Sequence, residues 1–166
     1  CMVLRKHIAN GRIISITQPD LERIIQFEIE HLDELGDLCH KKLIIELMGK
    51  HSNIIFCKED GTIIDSIKHV SAQISSVREV LPGRMYFIPD TTHKKNPLTV
   101  SQEDFLQTVC EKPEAIAKAI YTSYTGISPS IANEICFRAG VDGDFSMSSL
   151  NEDEKLHLFH NFDWFM

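Results

Sequence analysis

Apolar positions along this chain recur first at helical spacing, then at strand spacing, then at helical spacing again. Val3, Leu4 and Ile8 share one face of a predicted helix over residues 2–9, which Asn10-Gly11 breaks before the extended run Arg12-Ile-Ile-Ser-Ile-Thr17. In Arg23-Ile-Ile-Gln-Phe-Glu-Ile-Glu30, residues Ile25, Phe27 and Ile29 alternate with Gln26, Glu28 and Glu30. That two-residue period predicts a strand in a sheet with one wet face. The polar stretch 32–40, with Gly36 inside it, predicts a loop ahead of the apolar run Lys42 to Met48. Two further runs, Asn53-Ile-Ile-Phe-Cys57 and Thr62-Ile-Ile-Asp-Ser-Ile67, flank Glu59-Asp60-Gly61. Asp-Gly there predicts a hairpin, because glycine accepts the positive φ of the turn.

From Pro82-Gly83 to Pro97 the chain has three prolines and little periodicity, which predicts a connector. Beyond it the pattern is helical. Ser101 with Asp104 three residues on resembles a capping box for a helix running to about Cys110. Pro113 is placed to start a second helix with Ile116, Ala119 and Ile120 as its apolar face. Ser128 and Pro129 cap and open a third that ends at Gly140. A fourth is expected from about Asn151 to Phe162, with Glu152, Asp153 and Glu154 at its positive end. The expected fold class is therefore α+β: a β-rich lobe over residues 1–97, mainly antiparallel, then a small helical lobe over 98–166.

At 166 residues and 43% hydrophobic content the chain can bury one ordinary core with a small second lobe. The apolar runs are too short to cross a bilayer and the N-terminus lacks the order of a signal peptide, so a cytoplasmic protein without a membrane partner is expected. Five scattered cysteines, Cys1, Cys39, Cys57, Cys110 and Cys136, suggest neither a disulfide framework nor a zinc ligand set. The start at Cys1 and the apolar end Phe162-Asp-Trp-Phe-Met166 give both termini the look of cut ends. Residues 141–166 hold six acids and one lysine, so of the net charge of −7 only −2 belongs to residues 1–140. There, basic residues recur beside histidine: Arg5-Lys6-His7, His40-Lys41-Lys42, Lys50-His51, Lys68-His69 and His93-Lys94-Lys95. Gathered on one face such doublets make a phosphate-facing patch; dispersed, they are solvated surface.

Three segments carry candidate chemistry. Thr125-Gly-Ile-Ser-Pro129, between two predicted helices, resembles a helix-hairpin-helix spanning residues 114–140. In such hairpins glycine admits a phosphate and the amides opening the second helix point at it, which makes Gly126, Ile127 and Ser128 candidates; a purely structural helix connection is the competing reading. Glu22-Arg23 puts an acid and a guanidinium at a sheet entrance, where Arg can fork onto phosphate or a base edge, or simply form an exposed ion pair. In Glu46-Leu-Met-Gly-Lys-His-Ser-Asn53 a turn at Gly49 leaves Lys50, His51, Ser52 and Asn53 either to grip phosphate or to hold the turn itself. His157 and His160 with Glu154 have helical spacing a metal can use, but solvated histidines are the commoner case, and no metal or cofactor is expected. The sequence carries no nucleophile-base order and no glycine-rich nucleotide loop, so an enzyme is not expected.

In this order, Cys1-Met-Val-Leu-Arg-Lys-His-Ile-Ala-Asn-Gly11, Gln18-Pro-Asp-Leu-Glu-Arg-Ile24, Glu46-Leu-Met-Gly-Lys-His-Ser-Asn-Ile-Ile55, Asp65-Ser-Ile-Lys-His-Val70, Val80-Leu-Pro-Gly-Arg-Met-Tyr86 and Gly126-Ile-Ser-Pro129 resemble the N-terminal domain of the bacterial NFACT family. These are ribosome-quality-control factors also described as fibronectin-binding-protein-like. The resemblance implies a protein that binds the obstructed large ribosomal subunit, touching rRNA, and recruits tRNA, in bacteria tRNA-Ala, for C-terminal alanine tailing. It also implies a sheet lobe similar to the N-terminal domain of formamidopyrimidine-DNA glycosylases, without the segment that would hold their nucleophile. An Asp-Arg pair of the family engages tRNA; Glu22 and Arg23 match it, with Glu in place of Asp. Arg5, Lys6, Lys50 and His51 complete the expected nucleic-acid contacts. The family's other name implies an alternative, an adhesin for fibronectin or fibrinogen.

Overall fold

The computed structural model describes residues 2–89 and 93–166, and the chain divides into two compact units, Cys1–Thr91 and Thr92–Met166. The first opens with helix α1 (Met2–Ile8) and continues into strands β1 (Arg12–Thr17), β2 (Ile24–Leu32), β3 (Leu38–Glu46), β4 (Asn53–Lys58) and β5 (Ile63–Ser66). These form one antiparallel sheet in sequence order, with β1 at one edge. The expected α+β class and antiparallel sheet are thus present.

Two details differ from the sequence reading. Both ends of the stretch 32–40 are strand rather than loop, because His31 pairs with Cys39 and Leu32 with Leu38, and the turn shrinks to the residues between. Asp33 holds that turn by accepting the amides of Leu35 and Asp37, both at 2.9 Å, with Gly36 at φ 88°. Second, the tightest core does not lie on the Ile25, Phe27, Ile29 face. Ile24 (1% exposed) pairs through Glu46 to Asn53 and shares its face with Ile44 (1%), Ile55 (0%) and Cys57 (0%). Val80, Val70, Tyr86 and Ile88 cover that face. They do so because residues 83–86, read from sequence as part of a connector, are hydrogen-bonded to Gly61 and Ile63 beside β5. The opposite face holds Ile29 and Phe56, with the His7 ring of α1 6.0 Å from that of Phe56. The connector's residues 90–92 lie outside the described residues.

In the second unit, α2 (Gln102–Phe105) continues as a π-helical turn, Leu106–Cys110, followed by α3 (Ile116–Ser123), α4 (Pro129–Arg138) and α5 (Glu152–Phe165). Residues 93–97 are fastened to this unit: the Lys95 amide donates to Ser123 O and its carbonyl accepts from Thr125, each at 2.9 Å. The core stacks Phe105, Tyr124, Phe159 and Phe162, all buried, with Phe162 centred 4.9 Å from both Phe105 and Tyr124. Helix α3 begins three residues after Pro113 because the segment around Ser146 takes over its entrance. Ile116 and Ala117 donate to Phe145 O and Gly143 O, and Met147 donates to Glu114 O. Ser128 caps α4 by accepting the Ile131 amide, and Asn151 and Glu154 form a full capping box on α5. At α2 only the hydroxyl half of the expected box forms, Ser101 accepting the Asp104 amide, while the Asp104 carboxylate pairs with Lys95.

Candidate nucleic-acid interface

The chain turns at Asp20, whose φ is 45°, before entering β2. The Glu22 amide donates to Pro19 O at 3.0 Å and the Gln18 side chain donates to Glu22 O at 2.8 Å. Arg23 is exposed and directly precedes buried Ile24, so the backbone at this point is anchored while the guanidinium is in solvent. Among the described residues neither the Glu22 carboxylate nor the Arg23 guanidinium takes a hydrogen bond or ion pair, so they do not form the exposed pair with each other that adjacency allowed.

The Leu47 amide donates to Arg23 O at 2.8 Å, which brings the Glu46–Asn53 segment to the same end of the sheet. Gly49 (φ 58°) opens the turn Gly49–His51, with Lys50 and His51 exposed on it. The two readings of this segment divide by residue. Asn53, 7% exposed, holds structure: its amide donates to Lys68 O and its carbonyl accepts the Lys68 amide, both at 2.9 Å. Lys50 and His51 keep their side chains in solvent, and the Lys68 ammonium donates to Lys50 O at 3.0 Å. Arg23, Lys50, His51, Lys68 and His69 are therefore gathered at one sheet end, with Asp65 accepting from His69 at 2.9 Å.

Behind this rim lies a group the sequence reading did not assemble. Glu46, 1% exposed at the end of β3, accepts from the Arg78 guanidinium on both oxygens, at 2.7 and 2.6 Å, and from the Tyr86 hydroxyl at 2.9 Å. Arg78 also donates to Phe87 O at 2.8 Å and lies over the Tyr86 ring. The phenol's pKa is driven far above its ordinary value, by burial first and the Glu46 charge second. A lone acid inside the apolar run Leu43 to Met48 was the available signal; its partner 32 residues away was not.

The remaining candidates lie elsewhere. Arg5 and Lys6 are exposed on α1, and Lys6 lines a depression with Leu32 and Leu35 at the β2–β3 hairpin. That is the far end of β2, about 25 Å from Arg23 at ~3.3 Å per residue. In the second unit Gly126 has φ 78°, Ile127 is buried in the helical core, and Ser128 caps α4. The five basic doublets thus do not form one patch. Lys50-His51 meets Lys68-His69, Lys6-His7 meets Lys41, and Lys94 and Lys95 are tied to Tyr121 O and Asp104 within their own unit. Glu154 is occupied in its capping box and His157 lies beside Asn161; among the described residues no cluster of His, Cys, Asp or Glu is disposed to hold a metal ion. The cysteines described, Cys39, Cys57, Cys110 and Cys136, are free thiols. No described helix is long and apolar enough to cross a membrane.

A meandering antiparallel sheet with a basic rim at one end, in a chain with a second, helical unit, defines an α+β protein. The family model for NFACT N-terminal and middle domains matches residues 1–166, and the chain belongs to that family. Among curated relatives, "Rqc2 homolog RqcH" of Bacillus subtilis is 42% identical over 142 residues, 85% of this chain and 25% of that protein. The Streptococcus pneumoniae protein of the same name is 35% identical over 162 residues, 97% of this chain and 27% of the relative. Among solved structures, the fibrinogen binding protein from Staphylococcus aureus superposes with TM-score 0.80 at 34% identity, covering 98% of this chain and 55% of that one. The N-terminal part of the fibronectin/fibrinogen-binding protein from Streptococcus suis does so with TM-score 0.72 at 35% identity, covering 98% and 57%. The chain spans about a quarter of the length of these curated relatives.

Proposed function

We propose that this chain is the RNA-facing part of a cytoplasmic ribosome-associated quality-control factor, one that binds obstructed large ribosomal subunits and recruits tRNA, in particular tRNA-Ala, for C-terminal alanine tailing. The observation that carries the reading is the sheet end: Arg23 and Lys50 stand in solvent, their side chains unpaired among the described residues, beside His51 and Lys68, on a backbone locked from behind by Glu46 and Arg78. Unpaired cations on a rigid edge suit a polyanion, because binding then costs little side-chain ordering and no competing ion pair. Family membership and the names of the curated relatives support the ribosomal partner.

The protein does no bond-making in this account. It positions tRNA and the ribosome performs the peptide chemistry. Glu22 orients or accepts from a base amine beside Arg23, and its extra methylene relative to Asp lengthens that reach. Arg5 and Lys6 add phosphate contacts. The hairpin Gly126–Ser128 fills the role of a helix-hairpin-helix, with the first unit similar to the glycosylase sheet lobe. Recovery of RNA with the tagged parent protein, followed by sequencing, tests the reading: tRNA and large-subunit rRNA are expected, with tRNA reduced in Arg23→Ala. Equal tRNA recovery from that variant removes Arg23 from the site.

A second reading has one specific observation behind it: fibrinogen stands in the names of the Staphylococcus aureus and Streptococcus suis structures, and fibronectin in that of the second. An adhesin must reach the cell surface. Detection of the parent outside the membrane, bound to matrix protein, would reverse the ranking.

A further inference from the structure

Where the C-terminal end of α1 meets the β2–β3 hairpin, the first unit has an open depression of about 480 Å³, lined by Lys6, His7, His31, Asp33, Glu34 and Lys41 among others. Its volume falls within the range of about 300–1,000 Å³ typical of small-ligand sites. Lys6 and Lys41 take no hydrogen bond or ion pair from a described residue, so both ammonium groups are available. The acids are differently placed. The Asp33 carboxylate is committed to the amides of Leu35 and Asp37 and to the Cys39 thiol, and Glu34 is out in solvent. His31 donates from Nδ1 to Leu32 O at 3.0 Å, while its Nε2 is buried and has no hydrogen-bond partner among the described residues. A buried ring nitrogen left unpaired costs free energy that a bound group would recover.

We infer that this depression binds a phosphate group, Lys6 and Lys41 holding the charge, His7 donating a hydrogen bond to its oxygens and His31 donating through Nε2 in its protonated form. The potential at His7 agrees. Burial lowers its pKa first, then Lys6, Lys41 and His31 lower it further, and only Glu34 acts the other way. The groups around that imidazole are Lys6 on α1, His31 on β2, Asp33 and Glu34 in the hairpin, and Lys41 on β3, with the Phe56 ring of β4 beside it. Cations therefore prevail over acids there, and an entering anion reverses the sign of the field. The affinity for phosphate stands on this geometry alone. Its assignment to an RNA backbone rests on the function proposed above, as a second foothold about 25 Å from Arg23 along β2.

Histidine ring resonances of the full 166-residue chain, followed against pH in inorganic phosphate and in chloride of equal ionic strength, test the site. The expected result is a His7 midpoint that moves upward in phosphate, with apparent phosphate affinity falling about threefold in both Lys6→Ala and Lys41→Ala. No response of His7 or His31 beyond that in chloride overturns the site, and an undiminished response in both variants overturns the lysine assignment. In a second arm a short oligouridylate is added. Competition with phosphate for the same resonances supports an RNA source; failure to compete overturns that source and leaves the pocket to free phosphate. Arg23→Ala, at the other end of the sheet, leaves all these shifts unchanged, so loss of tRNA binding there and loss of phosphate binding here are separate results.

Discussion

Glu46 and Arg78 meet across 32 residues of chain, the carboxylate accepting from one guanidinium nitrogen at 2.7 and 2.6 Å with the acid 1% exposed. The pair fastens the covering segment 70–88 to the sheet end that carries Arg23, Lys50 and Lys68. Its part in the proposed binding is to fix the rim's backbone; the Glu46 side chain is 1% exposed and that of Arg78 12%.

Removing one member leaves the other charged and buried, which typically costs about 3–5 kcal/mol. Urea unfolding is expected to show losses of that order for Glu46→Ala and Arg78→Ala. Tyr86→Phe, which deletes one of the hydrogen bonds to Glu46, should cost only about 1 kcal/mol. Equal midpoints for Arg78→Ala and the native chain would mean the pair is not structural.

The second unit offers a pair of opposite effects. The Tyr124 hydroxyl is buried with no hydrogen-bond partner among the described residues. Tyr124→Phe keeps the ring stacked on Phe105 and tilted against Phe162 and should be neutral, or stabilising by up to about 1 kcal/mol. Gly143→Ala should destabilise by about 1–3 kcal/mol, since a Cβ there would stand 2.6 Å from Asn133 Oδ1 and 3.0 Å from Ala117 Cβ. Thermal unfolding of the two variants checks both signs.

Two histidines titrate in opposite directions. His40 is raised above its ordinary value, first by its hydrogen bond to Glu59 and also by Glu30, against a smaller effect of burial. Its stabilisation is full below the unfolded value of about 6.5 and is lost as pH rises through the raised folded value. His7 is lowered, so its contribution is present above that unfolded value and is lost as pH falls through the lowered folded value. Ring resonances should therefore give midpoints on either side of 6.5, with Glu59→Gln bringing the His40 midpoint down. A His40 midpoint at or below that of His7 would contradict the arrangement.

Local rules made much of the fold legible. Asp60-Gly61 gave the β4–β5 turn, with Gly61 at φ 91° and the Thr62 amide bonded to Asp60, and Ser128-Pro129 gave the start of α4. What escaped was set by distant pairing. The hairpin strands at 31–32 and 38–39 flank a polar, glycine-containing stretch and form because each satisfies the other's backbone. Ile29 is buried on the face that the alternation predicts, but the tighter burial of the opposite face, at Ile24, escaped because its cover, residues 70–88, has no periodic pattern to announce it. At the candidate site Arg23 and Lys50 were visible as residue types, but their meeting depended on Leu47 bonding back to Arg23. The grouping of Lys68 with them depended on Asn53, whose side chain gave no sign of a partner 15 residues on.

The central claim is that the sheet end bearing Arg23 and Lys50 grips RNA phosphate. The most direct test is the affinity of the parent protein for tRNA-Ala across a KCl series, native against Arg23→Ala and Lys50→Ala. Each variant should bind more weakly at low salt, and the slope of log affinity against log salt should fall by about one for each cation removed. Lines for native and variant proteins that superpose over the whole series would contradict the account.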